Sequence, residues 1–239
     1  PSDCSGALTA ADTVASLNAN GILGLGVFQE DCGVGCKTAP LAGQFWQYYI
    51  CTTACTGETL DPQFQVQNPV ARFATNHNGV IIDIPAADPK GQFGARGSLI
   101  IGIDTQGNNS LGMATVLAVN SLTGYLTTNY NGKVLTRSFI DSGSKALYFN
   151  DTLAACPSGS VADGLYCPAT DPTALTATLV SAASVSVDVH FSVGNALTLL
   201  QDATKQNYNV FSTFAGPAGD PLTFDWGLPF FYGRKVFVA

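Results

Sequence analysis

The sequence contains few charged residues. Only 11% of its 239 residues are Asp, Glu, Lys or Arg, and the formal net charge is -7. With ten basic residues against seventeen acidic ones, the chain lacks the positive surface that attracts nucleic acid or anionic lipid. We therefore expect no nucleic-acid partner.

Long apolar runs are also missing. No stretch approaches the roughly 18 residues that a membrane helix needs, so we expect no membrane span. The first residues, PSDCSGALTA, lack the basic and apolar regions of a signal peptide. If the protein is exported, we expect its targeting segment to have been removed already.

Glutamate and histidine are scarce. Glu30 and Glu58 are the two glutamates, which argues against a glycosidase built on paired glutamates, although aspartate pairs remain possible. His77 and His190 have no Cys or carboxylate at metal-ligand spacing, so we predict no metal site and no cofactor. The order of residues is compatible with a Ser-His-Asp catalytic triad, but the sequence lacks the G-x-S-x-G motif that carries the serine nucleophile in many hydrolases.

The pattern of apolar residues predicts a mostly β fold. In residues 185–193, VSVDVHFSV, apolar and polar residues alternate, as expected for a half-buried strand. Asn131-Gly132 predicts a two-residue hairpin turn. Residues 9–19 predict a short helix. Residues 195–203 are ambiguous between a strand and a helix. Further strands are predicted within 79–85, 97–103, 125–130, 134–140 and 235–239.

Seven cysteines allow either disulfides or zinc. Six of them form close pairs in sequence: Cys32 and Cys36, Cys51 and Cys55, Cys156 and Cys167. Four thiolates could hold zinc, but the three-residue spacing is loose for a zinc knuckle, so we favour disulfides and an oxidising compartment. Local pairing and the crossed pairing of the first four cysteines both stay open. Cys4 is left over and predicts a partner in another chain or in a segment outside this chain.

One short segment, FIDSGS, places Asp141 in a tight turn between two apolar runs. Asp, Ser and Gly are ordinary turn residues, so an ordinary strand-turn junction is one interpretation. The alternative is a carboxylate that takes part in catalysis. The rest of the sequence bears on that choice.

In their order along the chain, several segments resemble the pepsin-like aspartic peptidases. FIDSGS is similar to the catalytic loop of that family, and Trp226-Gly227 to the apolar-apolar-Gly segment that lies under the loop. Ile22, Leu23 and Gly24 resemble the corresponding segment of the first lobe. The cysteine-rich insert at 32–55 departs from the usual pepsins and is similar to exported bacterial members of the family.

The resemblance implies a role for each residue of the loop. Asp141 would be one half of a catalytic dyad, in which two carboxylates share a proton, activate a water and protonate the substrate carbonyl. Ser142 would clasp the two catalytic loops together. Gly143 would donate its backbone N–H to the carboxylate, and Ser144 would hydrogen-bond its outer oxygen. Lys145 would favour the ionised form of Asp141 if its ammonium group pointed inward.

The second aspartate has no match in the chain. From Asp141 to Gly227 is 86 residues, and the same spacing before Gly24 falls about 62 residues ahead of Pro1. The resemblance therefore implies a bilobal fold of which this chain carries the end of the first lobe and the inter-lobe region, residues 1–90, and the whole second lobe, 91–239. The missing segment would be a separate or proteolytically cleaved chain.

Two hypotheses follow. The first is a secreted, periplasmic or cell-surface aspartic endopeptidase that acts on extended peptide or protein substrates and needs an upstream aspartate, so that this chain alone is inactive. The second is a non-catalytic binding or inhibitor protein of the cell envelope on the same fold.

Overall fold

The computed structural model describes residues 13–17, 19–21, 23–39 and 47–239. These residues fall into two compact units. One comprises the described residues up to Gly79 together with Val238 and Ala239, and the other is Val80–Phe237. The sequence places its boundary at residue 90, whereas the structure joins Val80–Ile84 to the second unit, because this strand pairs with one that follows residue 90.

The first unit has little regular structure among its described residues. A four-residue helix, α1, spans Val14–Leu17. Strands β1 (Tyr48–Cys51) and β2 (Cys55–Glu58) form an antiparallel hairpin. Leu23 and Gly24 lie in irregular backbone and are exposed, while Ile22 lies outside the described residues.

The regular structure of the second unit is mostly strand, so the expectation of a mostly β chain is confirmed. Its strands are β3 (Val80–Ile84), β4 (Ser98–Ile101), β5 (Leu126–Tyr130), β6 (Lys133–Ile140), β7 (Leu147–Tyr148), β8 (Thr173–Val180), β9 (Ser186–Val193), β10 (Ala215–Gly216), β11 (Asp225–Trp226) and β12 (Arg234–Val238). A seven-stranded sheet has the order β10-β7-β11-β6-β5-β8-β9, and a three-stranded sheet has the order β12-β3-β4.

Local chemistry explains the antiparallel half of the large sheet. Asn131 and Gly132 both have positive φ, 48° and 74°, which produces the tight turn between β5 and β6. β8 and β9 pair in register over eight residues each. On β9, Val189 and Val193 are buried whereas Asp188 is exposed, so the predicted half-buried strand is confirmed.

The other half of the sheet has an interleaved topology. β6 and β7 follow one another along the chain, yet β11, from near the C-terminus, lies between them. It runs parallel to β6 and antiparallel to β7. The connection from β6 to β7, residues 141–146, therefore passes across the end of β11.

Aromatic side chains form the core beneath this sheet. The rings of Phe149 and Phe224 stack with centroids 4.6 Å apart, and those of Phe224 and Trp226 with centroids 4.1 Å apart. All three side chains are completely buried. Such stacked rings add to the free energy of burial, and here they fix β11 against the segment that follows β7.

The ambiguous segment 195–203 forms helix α2 over Ala196–Gln201. The Asn195 side chain caps it by accepting a hydrogen bond from the Thr198 N–H. Neither this helix nor any other in the described part of the chain is long and apolar enough to cross a bilayer.

The six described cysteines form three disulfides between near neighbours. They are Cys32–Cys36, Cys51–Cys55 and Cys156–Cys167. Local pairing is therefore observed in place of the crossed alternative, and the thiolates that a zinc site needs are consumed. Three disulfides indicate that the protein matures in an oxidising compartment. Cys4 lies outside the described residues.

Candidate functional site

The turn that follows β6 is held by backbone hydrogen bonds to the β11 segment. The Asp141 N–H donates to the Trp226 carbonyl at 3.1 Å, and the Leu228 N–H donates to the Ser144 carbonyl at 2.7 Å. Within the turn, the Ser144 N–H donates to the Asp141 carbonyl. The position of Asp141 is thus set by a strand more than 80 residues away in sequence.

Both oxygens of the Asp141 carboxylate accept hydrogen bonds from the turn. The Gly143 N–H donates to Oδ1 at 2.7 Å, and Ser144 Oγ lies 3.0 Å from Oδ2. Ser142 and Gly143 are exposed, and Asp141 is half-buried. The carboxylate is therefore held in one orientation at the surface, within reach of a ligand. The clasp that the resemblance implies for Ser142 needs a second loop and stays a prediction.

A second carboxylate lies directly under the turn. Asp225 Oδ2 is 2.5 Å from Ser144 Oγ, so this hydroxyl joins Asp225 to Asp141. Asp225 is only 7% exposed, and its Oδ1 has no hydrogen-bond partner. Sequence reasoning missed this residue. The available signal was an aspartate next to Trp226, inside a segment that the resemblance expects to be apolar.

Burial changes the acidity of this second carboxyl group. Removal from water raises the pKa of Asp225 to about 6, and the nearby charge of Asp141 acts in the same direction. The hydrogen bond from Ser144 opposes both effects. On β7, burial and then the charge of Asp225 raise the pKa of Tyr148. The site therefore contains an aspartic acid that keeps its proton at pH values at which an exposed aspartate is ionised.

Gly227 allows the turn to lie close to β11. A Cβ atom at this position would be 2.0 Å from the Ala146 carbonyl oxygen and 2.8 Å from that of Ser144. Both atoms belong to the backbone, so neither can rotate away. The glycine is thus required by close approach, and its φ of -67° shows that no unusual backbone conformation is involved.

Lys145 does not form part of this cluster. Its residue is exposed, and the ion pairs found among the described residues involve other lysines and arginines. The inward-pointing arrangement considered from the sequence is therefore not supported.

An open groove lies beside the turn. It has a volume of about 620 Å³, and Ser142 lies on its wall. Its lining residues carry no charge, and the apolar ones come from β3, β4 and the segments around β10 to β12: Ile82, Ile84, Leu99, Val210, Leu228 and Tyr232. Such a surface suits an uncharged, largely apolar ligand. In the described ranges, no group of three or more His, Cys, Asp or Glu side chains is placed to hold a metal ion.

Together, the fold and the turn define a disulfide-bonded, mostly β protein. Beside an apolar groove, the Ser144 hydroxyl links the carboxyl groups of Asp141 and Asp225. Over residues 1–239 the chain matches the family described as Protein of unknown function (DUF3443), and it belongs to that family. No curated protein and no solved structure matches it.

Proposed function

We propose that this chain is part of an aspartic endopeptidase of the pepsin type, exported from a bacterial cell, with Asp141 as one of its two catalytic aspartates. The observation that carries the proposal is the position of Asp141. It lies on a turn between two strands that do not pair with each other, and a third strand, which ends at Trp226 just before Gly227, passes between them. The resemblance implies this arrangement of an apolar-Gly strand under the catalytic loop.

The hydrogen bonds around Asp141 support the same role. Two groups of its own turn, the Gly143 N–H and the Ser144 hydroxyl, hold its carboxylate without burying it. A carboxylate that must activate a water needs this combination of fixed orientation and access. Its catalytic partner would come from a segment outside this chain.

The groove beside Ser142 fits an extended peptide as substrate. Its uncharged walls would accept apolar side chains, and the exposed residues Ser142 and Gly143 would place the turn within reach of a peptide main chain. We therefore expect unfolded proteins, rather than small polar molecules, to be the substrates.

The test is cleavage of an unfolded protein at acid pH by the protein isolated from its natural source. Asp141→Ala should abolish cleavage, because one carboxylate cannot share the proton that the reaction needs. Asp188→Ala is the matched control, since Asp188 also accepts a hydrogen bond from a hydroxyl, that of Thr178, but lies exposed on β9. Equal cleavage by wild type and Asp141→Ala would remove Asp141 from the mechanism.

A non-catalytic binding protein on the same fold is the second candidate. The observation that favours it is the nature of the carboxylate found beside Asp141. Asp225 is buried and separated from Asp141 by Ser144, so it cannot face a substrate water in the way that a catalytic partner must. Peptide binding that survives Asp141→Ala, with no cleavage by the wild type, would support this second function.

A further inference from the structure

The contacts of Ser144 require one more proton than its hydroxyl supplies. Ser144 Oγ lies 3.0 Å from Asp141 Oδ2 and 2.5 Å from Asp225 Oδ2. A hydroxyl has a single hydrogen, so it donates to one carboxylate at a time. If both aspartates were ionised, the other short contact would bring two oxygens together with no hydrogen between them. One of the two carboxyl groups must therefore carry a proton.

The surroundings of the two aspartates identify which one holds it. Asp141 is half-buried, and its Oδ1 accepts the Gly143 N–H. Asp225 is 7% exposed, and its Oδ1 accepts nothing. Burying an ionised carboxylate with a single hydrogen bond is far more costly than burying the neutral acid. The proton therefore belongs on Asp225.

The groups around Asp225 do not offset a negative charge. On β7 it faces Tyr148, and across Ser144 it faces Asp141, neither of which is a cation. Arg137 on the neighbouring strand β6 is ion-paired with Asp220 at 2.6 Å. Lys145, on the turn itself, is exposed.

We propose that Asp225 is a positioning residue that keeps its proton and, through the Ser144 hydroxyl, orients Asp141. In this arrangement, Asp225 Oδ2–H donates to Ser144 Oγ, and Ser144 Oγ–H donates to Asp141 Oδ2. When Asp225 loses its proton, the hydroxyl turns towards Asp225, and Asp141 loses a hydrogen bond and gains a like charge nearby. Orientation of Asp141 is thus linked to the protonation of a buried residue that touches no substrate.

The direct test is a carboxyl titration by NMR of the protein labelled with ¹³C at the aspartate Cγ. We expect one carboxyl signal with a midpoint near pH 6, and this signal should be missing from Asp225→Asn. Asp141→Asn should move the midpoint to lower pH, because it removes a like charge. Asp188→Asn should leave the midpoint unchanged, since Asp188 is an exposed residue of β9. A signal that vanishes in Asp225→Asn but titrates near pH 4, or that ignores Asp141→Asn, would overturn the proposal.

The link to catalysis rests on the proposed function and has its own readout. Asp225→Asn keeps a donor towards Ser144 and should retain most of the cleavage rate, whereas Asp225→Leu should lower kcat by roughly 10- to 100-fold with little change in KM. Equal kcat for Asp225→Leu and wild type would overturn the positioning role. If the wild type cleaves nothing, the proposed function fails while the titration still decides where the proton lies.

Discussion

The indole nitrogen of Trp226 donates a hydrogen bond of 3.0 Å to the Thr128 hydroxyl, and both side chains are completely buried. The two residues lie on β11 and β5, on either side of β6. The bond therefore ties the strand beneath the Asp141 turn to the antiparallel half of the sheet. It explains why a polar residue is tolerated inside the aromatic core.

Trp226→Phe should lower the free energy of unfolding by about 1 to 3 kcal/mol, because it leaves the Thr128 hydroxyl buried without its donor. Thr128→Val should lower the free energy of unfolding by a similar amount, because it leaves the indole N–H of Trp226 buried without an acceptor. Urea unfolding of both single variants and the double variant would measure this. The double variant should be destabilised by less than the sum of the singles. Strict additivity would show that the two groups do not interact.

Gly227→Ala should destabilise the protein severely, by about 3 kcal/mol or more, since its Cβ would lie 2.0 Å from the Ala146 carbonyl oxygen. Gly219→Ala is the matched control, because no atom lies within 4 Å of a Cβ there. Thermal unfolding monitored by circular dichroism would compare them. A Gly227→Ala variant as stable as Gly219→Ala would mean that the turn and β11 separate readily.

Replacing Cys156 and Cys167 together by alanine should cost about 2 to 3 kcal/mol of stability, because their bond closes an 11-residue loop and Cys156 packs in a buried cluster. Replacing Cys51 and Cys55 should cost less. That bond spans four residues in an exposed hairpin that is already closed by β pairing. Urea midpoints of the two double variants should differ in this order, and the reverse order would contradict the argument.

Much of the antiparallel half of the sheet follows from local sequence. Alternating residues predict β9, and Asn131-Gly132 predicts the turn between β5 and β6, because both signals depend on neighbours in the chain. β8 was missed. Its sequence, TALTATLV, alternates Leu175, Ala177 and Leu179 with threonines, a weaker contrast than the Val and Phe against Asp and Ser of β9, and its pairing with β9 supplies the register.

The candidate site could be predicted only in part, because local sequence signals do not report contacts between distant segments. The Asp141 turn is visible as a short motif, whereas β7, β10 and β11 have two residues each and exist because distant segments meet. Ser144 and Asp225 are 81 residues apart. No local pattern reports that a carboxyl group ends up buried under a turn, so the role of Asp225 emerges only from the folded chain.

The contribution of Asp225 to the free energy of unfolding should fall as the pH rises from about 4 to above 6. The pKa of Asp225 is raised from 3.8 to about 6, first by burial and then by the charge of Asp141. Between these values the folded state binds more protons than the unfolded state, so each rise in pH favours unfolding. The stabilisation is complete below about pH 4 and is lost as the pH passes through 6.

Comparison with Asp225→Asn isolates this contribution from that of other carboxyl groups. Hydrogen bonds lower the pKa values of Asp163, Asp202 and Asp220, and these groups therefore destabilise the protein in acid, in the opposite direction. Between pH 4.5 and 7.5, wild type should lose about 1 to 2 kcal/mol more than Asp225→Asn in urea unfolding. Asp188→Asn should follow the wild-type curve, because Asp188 is exposed on β9. Parallel curves for wild type and Asp225→Asn would show that the buried carboxyl group titrates alike in the folded and unfolded chain, and its proton would then have no part in holding the turn.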